Sequence, residues 1–370
     1  MKKKLAIIGG NKDQKRLVET AKEMGIETHC FSWDKSAKHT VCKGIADYFH
    51  PISVIEKEQI LEKCKEININ GVVSICNDVY VPTVAYVAEK MGLTGNSYQD
   101  TFITSDKYTL RQVFSKQNVK TPRFAIAKEG VDLKGFRYPL IVKPVDRCAS
   151  IGVIKVEKEE DLQKSIQKSL EQSYIKKVII EEFISGVEIS VDSISWKGKH
   201  YILGIKDKEF TSGGDFVLLS EHYPAQLSFE IQEEIKTETL KALDSINFKY
   251  GASNTQFKIT ESGEIFSIEI NPRMASDFAY TKIKLYNGYD YIKGVIDVAL
   301  GKFEEPIFTE NKFSGSYYLH EETEWVRQII ENKSFYSDII ESELFKENEV
   351  YFGIEGYFIY QSTQKKRFTN

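Results

Sequence analysis

The residue types that could do chemistry gather in the second half of this 370-residue chain. Glu269-Ile270-Asn271-Pro272-Arg273 ends an apolar run, Ile265–Ile270. Glu269 and Asn271 are two apart, so on a strand they share a face. Gln256, on a strand predicted over Ala252–Ile259, can join them across a turn at Gly263. One carboxylate and two carboxamides are the oxygen donors that magnesium accepts alongside phosphate oxygens, and Arg273 adds a fork suited to phosphate or carboxylate. A carboxylate, an amide and an arginine within five residues of a strand end are hard to read as core.

Three further clusters fit the same anion. Lys143 ends the buried strand Pro139–Lys143, where an ammonium must meet an anion or suffer desolvation. The short polar loop that follows, Val145–Gly152 with Ser150, can turn backbone N–H groups on phosphate oxygens. The competing reading is a surface hairpin with a snorkelling lysine. The strand Val178–Phe183 carries Glu181 and Glu182 at its end, then Phe183 and Ile184, and Ser185-Gly186 turns it into a second strand led by Glu188. Such a hinge can offer backbone to an adenine edge, and Glu188 can accept both ribose hydroxyls. A solvated hairpin tip accounts equally well for Glu182. Asp106-Lys107 opens a helix, so Lys107 is a second phosphate candidate, with Arg111 one turn on. Read alone, Asp106 is a helix cap.

These groups need elements to hold them. Residues 1–105 alternate strand and helix (Lys4–Ile8, Gln14–Met24, Glu27–Phe31, Ile55–Ile67, Gly71–Ile75, Val81–Met91), which predicts a doubly wound parallel sheet. Gly9-Gly10 is read as a tight turn, because no full G-x-G-x-x-G follows. From Thr101 the texture becomes α+β, with helices expected at Lys107–Gln117, Glu159–Gln172, Phe229–Ile246 and Tyr289–Leu300 and strands at Phe124–Ala127, Gly152–Val156, Glu188–Trp196 and Tyr201–Ile205. Residues after about Gly315 read as a last strand and helix with a mobile tail, Gln364–Asn370.

Composition bounds the rest. Fifty basic and fifty-four acidic residues give a net charge of −4, which argues against nucleic-acid binding by bulk charge. No apolar run reaches the roughly 18–20 residues of a membrane span, and no segment has the core of a signal peptide, so a cytoplasmic location is expected. Five cysteines, an odd number without C-x-x-C spacing, argue for reduced thiols rather than disulfides or zinc.

In this order and spacing the motifs resemble the ATP-grasp superfamily of carboxylate–amine ligases, over nearly the whole length. The resemblance is to the branch with carbamoyl-phosphate synthetase lobes and L-amino-acid ligases, where the first metal-side position is often Gln, as Gln256 is here. It implies an α/β and α+β fold: a doubly wound preATP-grasp domain (1–105), a linker helix (106–120), a small lid subdomain (121–185), a large subdomain (186–310) and a C-terminal segment packed on it (311–370). It implies ATP and Mg²⁺, with Mn²⁺ as substitute. Lys107, Lys143, Ser150 and Gly152 would serve the phosphates, Glu181 the adenine amine, Glu182, Phe183 and Ile184 the ring, and Glu188 the ribose. Gln256, Glu269 and Asn271 would hold the metal, and Arg273 would steady the transferred phosphoryl group. Lys206 or Lys208, ahead of Ser220-Glu221-His222-Tyr223-Pro224-Ala225, would meet the γ-phosphate, with His222 lining the substrate site. Met274-Ala275-Ser276-Asp277-Phe278 replaces the glycines that relatives often carry after the arginine, so the acceptor pocket is this chain's own. The expected reaction makes an acyl phosphate from a small carboxylate, then an amide, releasing ADP and phosphate. Expected partners are those small molecules and a second copy in a homodimer. The alternatives are a carbamoyl-phosphate or purine-pathway enzyme acting on bicarbonate, or a non-catalytic nucleotide-binding module.

Overall fold

The computed structural model describes residues 2–128, 131, 133–148, 150–212, 216–350, 352–364 and 368. The chain begins β1 (Lys4–Ile8), α1 (Lys12–Glu23), β2 (Glu27–Phe31), β3 (Tyr48–His50), α2 (Lys57–Ile67), β4 (Gly71–Val73) and α3 (Val81–Met91). The four strands are parallel in the order β3-β2-β1-β4. Alternation along β1 explains the layers: Leu5 and Ile7 pack toward α1, Ala6 and Ile8 toward α2 and α3. The Gly9-Gly10 turn is filled. A Cβ on Gly9 would meet the Tyr80 ring and one on Gly10 the His39 carbonyl, so these glycines serve close backbone packing.

Two helices, α4 (Thr101–Ser105) and α5 (Lys107–Lys116), lead out of this unit. Asp106 caps α5: its Oδ1 accepts the Thr109 N–H at 2.9 Å, and its Oδ2 accepts Lys177 Nζ at 2.9 Å. Asp106→Ala is expected to lower stability by about 1 kcal/mol, most of it the lost cap, read as a shift in the urea midpoint.

A four-stranded antiparallel sheet follows, order β5-β8-β6-β7, from β5 (Phe124–Ile126), β6 (Leu140–Pro144), β7 (Ile154–Val156) and β8 (Val178–Glu182), with α6 (Leu162–Gln172) on one face. The third sheet has eight antiparallel strands in the order β13-β12-β9-β10-β11-β14-β16-β15. Its members and helices run β9 (Val187–Trp196), β10 (Lys199–Phe210), β11 (Leu218–Tyr223), α7 (Phe229–Ser245), β12 (Gly251–Ile259), β13 (Ile265–Asn271), α8 (Ala279–Asn287), α9 (Tyr291–Ala299), β14 (Phe313–Leu319), α10 (Trp325–Glu331), β15 (Ile339–Leu344) and β16 (Gly356–Ser362).

Three expectations fail here. β10 runs five residues beyond the expected Ile205, through Lys206-Asp207-Lys208, because every second residue there faces a polar cleft and hides the apolar period. α8 follows Arg273 where no helix was expected. The segment after Gly315 contributes three strands, not one, and they continue the large sheet. Of the expected mobile tail, residues 365–367 and 369–370 lie outside the described residues, while Phe368 packs edge-on against Tyr317 and Phe358.

Candidate active site

The third sheet is amphipathic by alternation. Ile189, Val191, Ile205, Phe257, Ile259 and Ile265 form a buried cluster with Ile235 of α7. The intervening positions carry polar groups in three registered rows. Lys208 pairs with Glu188 and Glu188 with Lys258; Lys206 with Ser190, Ser190 with Gln256 and Gln256 with Glu269; Asp192 with Asn254 and Asn254 with Asn271. This polar face floors a cleft of about 1030 Å³ roofed by β6, the loop after it and the end of β8. A volume of that order suits a nucleotide-sized ligand.

Glu269 is 3.1 Å from Lys107 Nζ, which also donates to the Arg147 carbonyl at 2.6 Å. Burial alone would raise the Glu269 carboxyl, but Lys107, and Lys143 beyond it, outweigh this and hold it at about 2. The acid is therefore ionised, with the Gln256 amide opposite it and Asn271 two residues on, on the same face. An ionised carboxylate and two amide oxygens fit a hard divalent ion that keeps further positions for phosphate oxygens.

From the roof, Lys143 Nζ reaches Glu181 at 2.7 Å, and Arg111 Nε meets the same carboxylate at 2.9 Å while Nη2 donates to the Ile268 carbonyl at 2.7 Å. Burial pulls the Lys143 ammonium below its ordinary value despite Glu181, while Arg111 and Lys143 hold Glu181 below its own against burial. The Glu181 carboxylate is thus occupied by two cations; toward a ligand it offers charge balance rather than a free acceptor. Glu182 accepts the Arg137 N–H at 3.0 Å, and Phe183 N–H is bonded to the Pro139 carbonyl. Ile184 lines the cleft, and its backbone has no hydrogen-bond partner among the described residues. Glu188 lies between Lys208 at 3.8 Å and Lys258 at 3.3 Å.

Ser150 lines the cleft. Gly152 is outside that lining, and its positive φ turns the loop against Pro144 and Gln172. Cys148, an exposed residue of the same loop, lines the cleft, and partial desolvation there raises its thiol pKa. The other four cysteines are buried.

His222 is a correction. It is 4% exposed, its Nδ1 lies 2.9 Å from the Tyr360 hydroxyl and its Nε2 3.0 Å from Ser220 Oγ. Neighbours on a strand point to opposite faces, so His222 enters the core beside β14 while Glu221 lies on the other face, buried beneath the cleft-lining Lys206. Glu221 takes Lys206 at 2.9 Å and Lys282 at 2.5 Å, both buried, and Lys206 also lies 3.4 Å from Asp192. Asp192 accepts from the Tyr223 hydroxyl and from Asn254 Nδ2 at 3.0 Å. Lys206 is thereby the more firmly held of the two candidate lysines, and Lys208 stands nearer the Glu188 end. Arg273 is paired with Asp78 from the N-terminal unit at 2.8 Å.

The sequence reading missed Asp78, Asp192, Glu221, Asn254, Lys258 and Lys282 and gave Arg111 no role. Period-2 spacing from Glu188 and Gln256 could have found Asp192, Asn254 and Lys258. No local signal marks Asp78 or Lys282, which reach the site only through the fold.

Residues 136–282 match a family model described as an ATP-grasp domain. Among characterised proteins, alanine–anticapsin ligase of Bacillus subtilis is 26% identical over 296 residues, covering 69% of this chain and 62% of that protein. D-alanine–D-alanine ligase B of Clostridium perfringens is 28% identical over 216 residues, 53% of this chain and 68% of the relative. The chain thus spans about three-fifths of the first of these relatives. The solved structure of L-amino acid ligase from Bacillus licheniformis superposes with a TM-score of 0.82 at 21% identity, covering 98% of this chain and 94% of that one. Residues 136–282 thus match an ATP-grasp domain, and almost the whole chain shares the fold of the solved L-amino acid ligase structure.

Proposed function

We propose that the chain is an ATP- and magnesium-dependent carboxylate–amine ligase. It would activate a small carboxylate as an acyl phosphate and join it to an amine, with release of ADP and phosphate. The observation that carries this reading is the facing of two groups across one cleft: the ionised Glu269 with Gln256 and Asn271 on the floor, and Lys107 and Lys143 at the wall and roof. Magnesium, held by Glu269 and Asn271 with Gln256 assisting, would supply charge neutralisation at the phosphates.

The remaining work falls to the chain's own groups. Lys107 and Lys143 balance phosphate charge, and the Ile184 backbone with Glu182 and Phe183 receives the adenine edge. Glu188 holds the ribose, flanked by Lys208 and Lys258. Lys206 and Arg273 face the transferred phosphoryl group. No nucleophilic side chain is required, because the substrate carboxylate is itself the nucleophile toward phosphorus and phosphate is the leaving group toward the amine. The relatives whose names specify ligation of alanine support amino acids as the first substrates to try. No helix among the described residues is long and apolar enough to cross a membrane, and cytoplasmic location and homodimer formation stay within this proposal.

The test is an ADP-release screen over paired amino acids and small carboxylates, with mass spectrometry of the product. Substrate-dependent ADP and phosphate with an amide product supports the reading. AMP and pyrophosphate, or bicarbonate-dependent turnover without an amine acceptor, overturns it.

A further inference from the structure

The parallel unit does more than pack against the cleft; it delivers one side chain into it. β4 ends at Val73, and the chain then passes Cys76, whose φ of +65° is unusual for a residue with a side chain. The buried Cys76 Sγ donates to the Ala275 carbonyl at 3.3 Å. Asn77 then caps a short helical turn by accepting the Val79 N–H at 3.0 Å. Held this way, Asp78 meets Arg273 side-on: Nε donates to Oδ1 at 3.0 Å and Nη2 to Oδ2 at 2.8 Å. Nη1 donates to the Met274 carbonyl at 3.2 Å. A guanidinium has five N–H donors, so one on Nη1 and one on Nη2, the tip of the fork, have no acceptor among the described residues. Both Asp78 and Arg273 line the cleft.

We propose that Asp78 is a positioning residue for Arg273: it fixes the guanidinium plane and offsets its charge, so that the tip donors meet the transferred phosphoryl group. This rests on the ligase reading. An arginine side chain is otherwise rotamer-rich, and an uncompensated one would bind a phosphate anion tightly before and after transfer, which slows turnover. The parallel unit is in consequence part of the catalytic apparatus rather than a separate module. An ordinary interdomain ion pair, partly exposed as this one is, would contribute little in either respect.

The experiment compares wild type with Asp78→Asn and Asp78→Glu. The first readout is kcat and KM for the substrate pair found in the screen. The second is calorimetric titration of inorganic phosphate into the Mg-ADP-loaded protein. Asp78→Asn is expected to lower kcat about 10- to 100-fold through misplacement of Arg273. It is expected to tighten phosphate about 3- to 10-fold through the exposed charge, with the melting temperature nearly unchanged. Asp78→Glu, which keeps the charge, should recover most of kcat and the weaker phosphate affinity. An active wild type with an equally active Asp78→Asn, or phosphate bound no more tightly by that variant, overturns the proposal. A wild type without substrate-dependent ADP release would instead sink the ligase reading, and the phosphate titration would still decide the role of Asp78.

Discussion

Glu269→Ala is expected to lower substrate-dependent ADP release by about 10²- to 10³-fold, the range seen when one preorganised charge-stabilising group is removed. Glu269 is the only carboxylate among the three candidate metal-side residues, and its neighbours supply only neutral oxygens. The variant should still fold, because Lys107 keeps the Arg147 carbonyl and is not sealed from water. Glu269→Gln separates charge from shape and should behave like the alanine variant. Raising magnesium should recover part of the activity in both. Activity within a few-fold of wild type at low magnesium would remove Glu269 from the metal site. The pH dependence has a definite sign. The folded carboxyl lies at about 2, below its ordinary value, so the pair with Lys107 adds stability above the ordinary carboxyl range. That contribution is lost as pH falls toward about 2. No acid limb in the rate profile near pH 4–5 should therefore come from this group.

Glu221→Leu is expected to be the most destabilising single change considered, by about 3–5 kcal/mol. Burial opposes the Glu221 charge, yet Lys206 and Lys282 hold its carboxyl well below the ordinary range. Removing it leaves two buried ammoniums without their shared carboxylate: Lys206 retains Asp192 at 3.4 Å and the Tyr223 ring, and Lys282 retains Ser316 Oγ at 3.0 Å. Adding Lys282→Met should restore part of the loss, because the orphaned cation is gone and a chain of similar length fills its place. Urea midpoints of the single and double variants give the coupling directly. If Glu221→Leu unfolds at the wild-type midpoint, or if the second substitution makes matters worse, the network is not the clasp described here.

How much of this was legible beforehand follows from the range of each interaction. β1 and β2 and the helix Val81–Met91 were readable residue for residue, because apolar periodicity and a glycine stop are local signals. The floor residues Gln256, Glu269 and Asn271 were readable as a group too, since Glu269 and Asn271 share a face by period two and the short Gly263 turn pairs their strand with that of Gln256. His222 was misread for the same reason: a motif match names a stretch, but strand alternation and register decide which face each residue takes, and they bury His222 away from the cleft. The long β10 was shortened because a strand with one charged face lacks the apolar run that announces strands.

Residue types and their spacing were enough to single out a strand-end acid with its amide neighbours, two candidate lysines and the strand and helix that carry them, because those signals lie within a few residues of one another. Only the folded chain brought Asp78 to Arg273, 195 positions apart, and Glu221 to Lys282. It also clamped Glu181 between Arg111 and Lys143. Such contacts depend on sheet order and on packing of the parallel unit against the large sheet, and no local pattern encodes either. A charge acquires its partner, and so its protonation state and its aim, only when the remainder of the chain has excluded water around it.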